Sequence, residues 1–286
     1  MTNKIDLHAH TTASDGTNSP ADLVSLAYFS GLDVVAISDH DTVAGIKEAM
    51  KVGKRLGVEV IPAVEVTTKH RSPVHLLGYF VDTDSPVLEA YTAGIIEARD
   101  ERNLRICSLM QKDDIPVSYD EMKKEYGDIV GRPHFAEYMV ENGYAHAIDE
   151  AFDEFFSKGS CYYVPRDVIR LEKAISIVLE AGGVPVIAHP FQYRLNDAGL
   201  RELLEFGKKH GLMGLECHYS GYSDERQQYL EDLADEYSLL KTGGSDYHGD
   251  VKPAISLGTG KGDLYVPPEW LEKLREAAQS LRSGSL

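Results

Sequence analysis

The 286-residue chain has few cysteines and no long apolar run. Its three cysteines, Cys107, Cys161 and Cys217, are scattered and form no CxxC pair, which favours a reducing compartment. No apolar stretch approaches the roughly 20 residues that a membrane-spanning helix needs. The opening residues, Met1 to Lys4, lead straight into a strand pattern, which leaves no room for a signal peptide. We therefore expect a cytoplasmic protein without a membrane partner.

Positive charge is also scarce, and this bears on the choice of substrate. The chain has 46 acidic residues against 29 Lys and Arg, and its formal net charge is −17. Long, sequence-independent contacts with nucleic acid depend on Lys and Arg, so this composition disfavours a long nucleic-acid partner. A single nucleotide or a strand end at a local site stays compatible with it. Some of the carboxylates are candidates for binding divalent cations.

Histidines, by contrast, occur repeatedly at the ends of strand-like runs. The first run ends in His8-Ala9-His10, whose two imidazoles point the same way on a β-strand and make half of a metal site. An isolated HxH is more often a plain polar strand end, but here further residues follow the same pattern. The candidate ligands are His8, His10, Asp15, His40, Glu65, His75, His189, Asp246 and His248.

This number of candidate ligands predicts two or three metal ions. A catalytic site uses three or four protein ligands per ion and keeps one position open. Imidazole and carboxylate ligands without thiolate suit manganese, iron or zinc, and we expect manganese. Such clusters hydrolyse phosphate esters, because the ions generate hydroxide and neutralise the phosphoryl oxygens.

The order of the predicted helices and strands indicates an α/β barrel with an insertion. Strand and helix patterns alternate up to Tyr79 and again after Pro165, and the candidate ligands lie where (β/α) barrels carry their active sites. Helices are predicted at 86–112 and 119–126, and no strand pattern interrupts 97–165. We interpret 97–165 as a helical insertion that caps the barrel mouth, between barrel segments 1–96 and 166–286.

The motifs occur in a recognisable order. HxH with Asp15 five residues on, SDHD around His40, Glu65 at a strand end, AHP at His189 and SDYH at His248 resemble the PHP (polymerase and histidinol phosphatase) family over nearly the whole chain. The resemblance implies a distorted seven-stranded (β/α)7 TIM-like barrel with a trinuclear metal centre. All nine ligand positions are filled, unlike those of some polymerase-associated members, so the site is expected to be active.

The resemblance also implies how the ligands are shared among the ions. One ion is held by His8, His10, Glu65 and Asp246; Glu65 bridges to a second held with His75 and His189; and Asp15, His40 and His248 hold the third.

A motif in the insertion narrows the class of candidate substrates. Gly131-Arg132-Pro133-His134 resembles the motif of PHP phosphoesterases that act on nucleoside 3′,5′-bisphosphates and on short RNA 5′ ends, where the Arg and His contact phosphate oxygens. A guanidinium can bind phosphate through two N–H groups, and a helix start adds backbone N–H groups. From the residues alone, a surface loop with Pro133 opening a helix explains the motif equally well. Arg166 and Arg194 are further candidates for phosphate contact, with rim charges as the alternative.

The predicted reaction is hydrolysis of a phosphate monoester of a small nucleotide-like substrate by in-line attack of a metal-bound hydroxide. Arg132 and His134 would stabilise the developing charge, and His218 or a metal-bound water is the candidate general acid. The alternatives are a 5′-to-3′ exonuclease on short RNA, a histidinol phosphate phosphatase and, from another class, a non-catalytic metal-stabilised binding module. Barrel amidohydrolases also use HxH and a late Asp, but no Lys lies at the strand end where they place a bridging lysine.

Overall fold

The computed structural model describes residues 4–127, 130–165 and 168–284. The chain forms two compact units, one made of Met1–Thr92 and Val168–Leu286, the other of Ala93–Asp167. All the strands named below belong to the first unit, and the second is helical. In the described part of the chain, no helix combines the length and the apolar character needed to cross a bilayer.

The first unit is built on one sheet. Its strands are β1 (Ile5–Ala9), β2 (Val34–Ile37), β3 (Glu59–Lys69), β4 (Pro73–Tyr79), β5 (Ile169–Arg170), β6 (Val184–Ile187), β7 (Gly214–Tyr219) and β8 (Leu240–Gly244). The hydrogen-bonded order is β1-β2-β3-β4-β6-β7-β8, with β5 paired to β3 off this path. The segment after β8 returns to β1, where Asp246 N donates to the His8 carbonyl and His10 N to the Tyr247 carbonyl, both at 2.9 Å. These bonds nearly close a seven-stranded barrel, which confirms the predicted fold.

One strand of the barrel runs against the others. β4 is antiparallel to both β3 and β6, whereas the remaining neighbours on the path are parallel. The start of β4 therefore lies at the same edge of the sheet as the ends of the parallel strands. His75, which lies near that start, is thereby brought to the edge where the parallel strands carry their terminal side chains.

Ten α-helices surround or interrupt this pattern in the described residues. They are α1 (Pro20–Phe29), α2 (Ile46–Leu56), α3 (Pro86–Lys112), α4 (Tyr119–Tyr126), α5 (Arg132–Glu141), α6 (Ile148–Ala151), α7 (Leu171–Glu180), α8 (Asp197–Lys209), α9 (Asp224–Glu236) and α10 (Pro268–Ser283). Helix α1 begins as its sequence predicts, since the Ser19 hydroxyl accepts from Asp22 N at 3.1 Å and Pro20 occupies the first position. Gly57 caps the C-terminus of helix α2, and its positive φ of 78° is a conformation that favours glycine.

The core of the first unit consists of strands buried along their whole length and the helix faces packed on them. Every residue of β1, β2, β6 and β7 is buried, as expected for strands covered on both faces. On α1, Leu23, Val24 and Ala27 face this core. The burial of β1 also encloses the polar side chains of Asp6 and His8, which is unusual unless each finds a partner.

The second unit has an apolar core of its own. Buried members include Ile106 and Met110 of α3, Phe135 and Met139 of α5, and Phe156 of the π-helical turn Phe152–Phe156. One polar side chain lies inside it: Asn103 Nδ2 donates to the Tyr119 hydroxyl at 3.1 Å and to the Val130 carbonyl at 2.9 Å. The second unit thus folds around a separate core, and its bounds lie close to those of the predicted insertion 97–165. Its role as a cap stays a prediction.

Candidate metal centre

The predicted ligands lie together at one edge of the barrel. Their donor atoms form three groups, within each of which all atoms lie within 4.8 Å of one another. The groups are His8, His10, Glu65 and Asp246; His10, Asp15, His40 and His248; and His40, Glu65 and His75. The ninth residue, His189, joins them because its Nε2 lies 2.8 Å from Glu65 Oε1.

The first group converges from the two ends of the barrel sheet. His8 Nε2 and His10 Nε2 are 3.1 Å apart. Asp246 Oδ1 lies 3.5 Å from the former and 3.3 Å from the latter. All three side chains are buried. Four donor atoms, counting Glu65 Oε2, thus face a common point, as ligands of one ion do.

Glu65 connects the first group with its neighbours. Its Oε1 lies 2.9 Å from His75 Nδ1 and 2.8 Å from His189 Nε2. Its Oε2 lies 3.4 Å from His8 Nε2 and 3.2 Å from His10 Nε2. The two oxygens of this fully buried carboxylate therefore face different sets of imidazoles, which is the geometry of a bridging ligand.

The group of His10, Asp15, His40 and His248 is the most open to solvent, because the Asp15 side chain is 55% exposed. Asp15 Oδ1 lies 3.4 Å from His248 Nε2 and 3.7 Å from His10 Nδ1, and Asp15 Oδ2 lies 3.8 Å from His40 Nε2. Asp39 supports this turn, since its carboxylate accepts from Thr11 N and from the Ser14 hydroxyl, each at 2.7 Å. Asp39 is thus a turn-forming residue that places Asp15.

The donor set fits divalent cations. Among the described residues, His10 Nδ1, His40 Nδ1, His189 Nδ1 and Glu65 Oε2 are buried without a hydrogen-bond partner. Buried polar atoms are normally hydrogen-bonded, so such unpartnered donors and acceptors call for an explanation. Neutral imidazole nitrogens and a carboxylate oxygen are ligands for first-row metal ions. Metal ions at these groups would supply partners for His10 Nδ1, His40 Nδ1 and Glu65 Oε2.

The shifted pKa values of the candidate ligands also indicate a site for cations. Burial opposes charge on His8, but the carboxylates of Glu216, Glu65 and Asp246 raise its pKa well above the usual value. Against the same effect of burial, Asp246 and Glu65 raise the pKa of His10 to about 9. At His40, burial together with the neighbouring imidazoles of His10 and His75 outweighs the carboxylates and lowers the pKa to about 4. The neighbouring imidazoles hold the pKa of Glu65 well below its usual range despite burial. Buried carboxylates at this edge therefore require cations, which are protons or metal ions.

A cavity of about 190 Å³ opens onto this cluster within the first unit. Its walls include the ligand candidates His40, Glu65, His75, His189 and Asp246, together with Gln192, Tyr219 and Lys252. Sequence reasoning missed the last three. Tyr219 donates its hydroxyl proton to Asp246 Oδ2 at 2.7 Å. Sequence reasoning also missed Glu216, a fully buried carboxylate beside His8.

The structure corrects the prediction for His218, which it does not bring to the cluster. His218 Nε2 lies 3.0 Å from Glu231 Oε1 of α9, and His218 Nδ1 lies 2.6 Å from the Tyr265 carbonyl. The register of β7 against β8 shifts between Glu216 and His218. A bulge of this kind reverses the alternation of side chains, so His218 no longer shares a face with Glu216. With both ring nitrogens bonded elsewhere, His218 is not retained as the general acid.

The two further predicted phosphate contacts, Arg194 and Arg166, stay predictions. Arg194 is exposed and follows the short helix Pro190–Tyr193 in a left-handed conformation, with φ of 54°. Arg166 lies outside the described residues. Tyr193, next to Arg194, has a packing role, because its hydroxyl donates to the Ala188 carbonyl at 2.6 Å and accepts from His75 N at 2.9 Å.

In the second unit, Arg132 and His134 are held firmly at the start of α5. Arg132 Nη1 donates to the Phe156 carbonyl at 3.1 Å, and its guanidinium lies 5.4 Å and 5.5 Å from the ring centres of Phe152 and Tyr163. His134 Nδ1 accepts from Gly131 N at 3.1 Å, so the neutral ring carries its proton on Nε2. Burial lowers the pKa of His134, which favours this neutral form.

Comparison with known proteins identifies the family. A family model described as the PHP domain matches residues 6–279. The chain belongs to the PHP family. A 5′-3′ exoribonuclease of Haemophilus influenzae is 35% identical over 249 residues, covering 87% of this chain and 91% of the relative. A 3′,5′-nucleoside bisphosphate phosphatase of Chromobacterium violaceum is 29% identical over 257 residues, covering 89% and 90%.

A solved structure agrees with the sequence relatives of this PHP protein. A Bifidobacterium adolescentis protein assigned as a metal-dependent phosphoesterase superposes with a TM-score of 0.78 at 33% identity and covers 96% of both chains. The predicted family, the barrel fold and the class of enzyme, a metal-dependent hydrolase of phosphoric esters, are thereby confirmed.

Proposed function

We propose that this PHP phosphoesterase hydrolyses a phosphate monoester of a small nucleotide-like substrate, such as a nucleoside 3′,5′-bisphosphate. The observation that carries the proposal is the convergence of nine imidazole and carboxylate side chains, Glu65 among them, at one edge of the barrel, with buried donor atoms that have no protein partner among the described residues. The relative named as a 3′,5′-nucleoside bisphosphate phosphatase supports this substrate class.

The ligands are assigned to two or three divalent ions, with manganese as the first choice and with iron and zinc as alternatives that the same mixture of imidazoles and carboxylates suits. His8, His10 and Asp246 would hold one ion with Glu65; His75 and His189 would share Glu65 for a second; and Asp15, His40 and His248 would hold a third. When bound, such ions lower the pKa of water and offset the charge on phosphoryl oxygens. The free thiols of Cys107, Cys161 and Cys217 suit a reducing cytoplasm, which is the proposed location.

The protein's own residues have distinct tasks in this reaction. Glu65 fixes the positions of His75 and His189, on one oxygen, relative to His8 and His10, on the other. Arg132 is assigned to bind a substrate phosphate, since its guanidinium is already ordered between two rings and its remaining N–H groups suit phosphate oxygens. His134, protonated on Nε2, is assigned to donate a hydrogen bond to the same phosphate.

Hydrolysis of short RNA from its 5′ end is the second candidate. A 5′-3′ exoribonuclease is 35% identical to this chain, which favours that activity, and the charge of −17 restricts it to short strands. Histidinol phosphate is a weaker candidate, because the motif of Arg132 and His134 resembles that of nucleotide-acting PHP phosphoesterases.

A substrate panel on the manganese-loaded protein tests the proposal. Initial rates are compared on a nucleoside 3′,5′-bisphosphate, a short 5′-phosphorylated RNA and histidinol phosphate. We expect the bisphosphate to give the highest kcat/KM. A higher value on RNA would favour the exonuclease. Fewer than two tightly bound divalent ions per chain, together with no release of phosphate after manganese addition, would contradict the proposal and favour a binding module.

A further inference from the structure

One carboxylate outside the predicted ligand set contacts two of the predicted ligands at once. Glu216 lies on β7 and is fully buried. Its Oε1 is 2.9 Å from His8 Nδ1, and its Oε2 accepts the backbone N–H of His189 at 2.6 Å. A buried carboxylate is costly unless its oxygens are satisfied, and here each oxygen has an N–H partner. Both partners belong to residues assigned to the metal centre.

The bond to His8 decides which ring nitrogen is available to an ion. A carboxylate accepts hydrogen bonds and has no proton to donate, so His8 Nδ1 must carry the proton of this pair. In the neutral ring, the lone pair then lies on Nε2. That atom faces His10 Nε2 at 3.1 Å and Glu65 Oε2 at 3.4 Å. Glu216 therefore aims the lone pair of His8 at the first group.

The bond to His189 supports an unusual backbone. His189 has φ of 25° and ψ of 60°, a backbone conformation that residues other than glycine rarely adopt. Such a conformation persists only when its surroundings hold it. The short bond from His189 N to Glu216 holds the residue at the end of β6, in the position from which its Nε2 reaches Glu65 Oε1 at 2.8 Å.

We propose that Glu216 is a positioning residue that sets the metal affinity of the centre through His8 and His189. This inference rests on the proposed function, since it concerns the ions assigned there. Carboxylates that accept from ligating histidines fix ring orientation and raise ligand basicity, and their loss lowers metal affinity by about 10–100-fold. A carboxylate of this kind usually orients one ligating histidine. Glu216 contacts two, His8 of β1 and His189, which follows β6.

The variant Glu216→Gln tests this with minimal change of shape. The amide offers one acceptor oxygen, so it cannot accept from both N–H groups. If its oxygen serves His189, its NH₂ group faces His8 Nδ1 and moves the imidazole proton to Nε2, the atom that should bind the ion. We expect manganese affinity, measured by competition with a metal-sensitive chelator on the full chain, to fall by about 10–100-fold. Turnover should return at saturating manganese with KM for the substrate little changed.

The pair of His218 and Glu231 provides a matched control. Glu231 Oε1 lies 3.0 Å from His218 Nε2, and neither residue is among the assigned ligands. Glu231→Gln removes the same kind of carboxylate–imidazole contact and should leave manganese affinity unchanged. Equal affinity in wild type and Glu216→Gln, or an equal loss in both variants, would overturn the inference. A wild-type protein that binds no manganese would instead contradict the proposed function.

A second measurement needs no variant at Glu216 and so does not depend on that variant folding. In wild-type protein loaded with diamagnetic zinc and labelled with ¹⁵N-histidine, nuclear magnetic resonance distinguishes a protonated Nδ1 from a protonated Nε2. The His8 signals are assigned by their loss in His8→Gln. We expect His8 to carry its proton on Nδ1. A proton on Nε2 would show that Glu216 does not direct the ring as inferred.

Discussion

Lys252 Nζ lies 2.6 Å from Oδ2 of Asp246, the carboxylate oxygen that does not face the imidazoles of His8 and His10. The opposite oxygen, Oδ1, faces His8 and His10 at 3.5 Å and 3.3 Å. The ammonium group and the Tyr219 hydroxyl thus hold the outer oxygen, while the inner one stays directed at the proposed ion. Asp246 is therefore a ligand candidate whose orientation is fixed from two sides.

Replacing this carboxylate tests its role directly. Asp246 has φ of 55°, which asparagine tolerates, so Asp246→Asn should keep the fold while removing the anionic ligand. We expect turnover to fall by more than about 100-fold, beyond the loss typical of a supporting partner, with fewer bound ions per chain. The exposed Asp250 provides the control variant Asp250→Asn. Unchanged turnover in Asp246→Asn would refute the assignment.

Removing the metal ions should destabilise the first unit. An ion that binds the folded chain alone stabilises it by about 2.7 kcal/mol at a concentration 100 times its Kd. For a chain of this size we expect manganese to raise the Tm of chelator-treated protein by on the order of 5 °C or more. Differential scanning calorimetry measures the shift. Magnesium, which prefers all-oxygen sites, should give a smaller one, and equal shifts with both ions would argue against the imidazole-rich centre.

Arg132→Ala should impair substrate binding without affecting the ions. Hydrogen bonds to charged groups contribute about 1.5–3 kcal/mol, so kcat/KM should fall by about 10–100-fold. Steady-state kinetics on a nucleoside 3′,5′-bisphosphate checks this, and manganese affinity should equal that of wild type. Arg105, an exposed residue of α3, serves as the control through Arg105→Ala. Equal kinetics in both variants would remove Arg132 from the proposed mechanism.

His218→Asn should change stability rather than catalysis. The ring is bonded to Glu231 and to the Tyr265 carbonyl, and it packs against Trp270 with ring centres 4.6 Å apart. Loss of these partly buried hydrogen bonds and of the packing against Trp270 should lower the free energy of unfolding by about 1–3 kcal/mol, measurable by urea denaturation. We expect kcat to stay within about twofold of wild type, whereas a general acid would show a large loss.

The sequence predicts much of the centre because its chemistry depends on residue type and strand position together. His8, His40 and His189 each lie at or just beyond the end of an apolar run, and parallel strands bring such ends together. Helices α3 and α4 have the predicted bounds because their starts and ends are marked locally. The direction of β4 leaves no such mark, since an apolar run gives the extent of a strand and not its neighbours.

The residues that the sequence does not reveal depend on contacts between distant segments. Glu216 stands within an apolar run, where nothing local shows that His8 and His189 supply its hydrogen bonds. His218 is misassigned because a one-residue bulge is invisible to a pattern that assumes strict alternation. The placement of Arg132 between two rings likewise depends on Phe152 and Tyr163, which come later in the chain.

The bonds between β1 and the segment after β8 have a consequence for how the enzyme matures. His8 and His10 are the first of the assigned ligands along the chain, and Asp246 and His248 are the last. The first group of donors is therefore incomplete until nearly the whole barrel has been synthesised. Nascent chains hold only part of the binding site, so full metal loading is an event of the finished protein, and a truncated translation product lacks the complete hydrolytic centre.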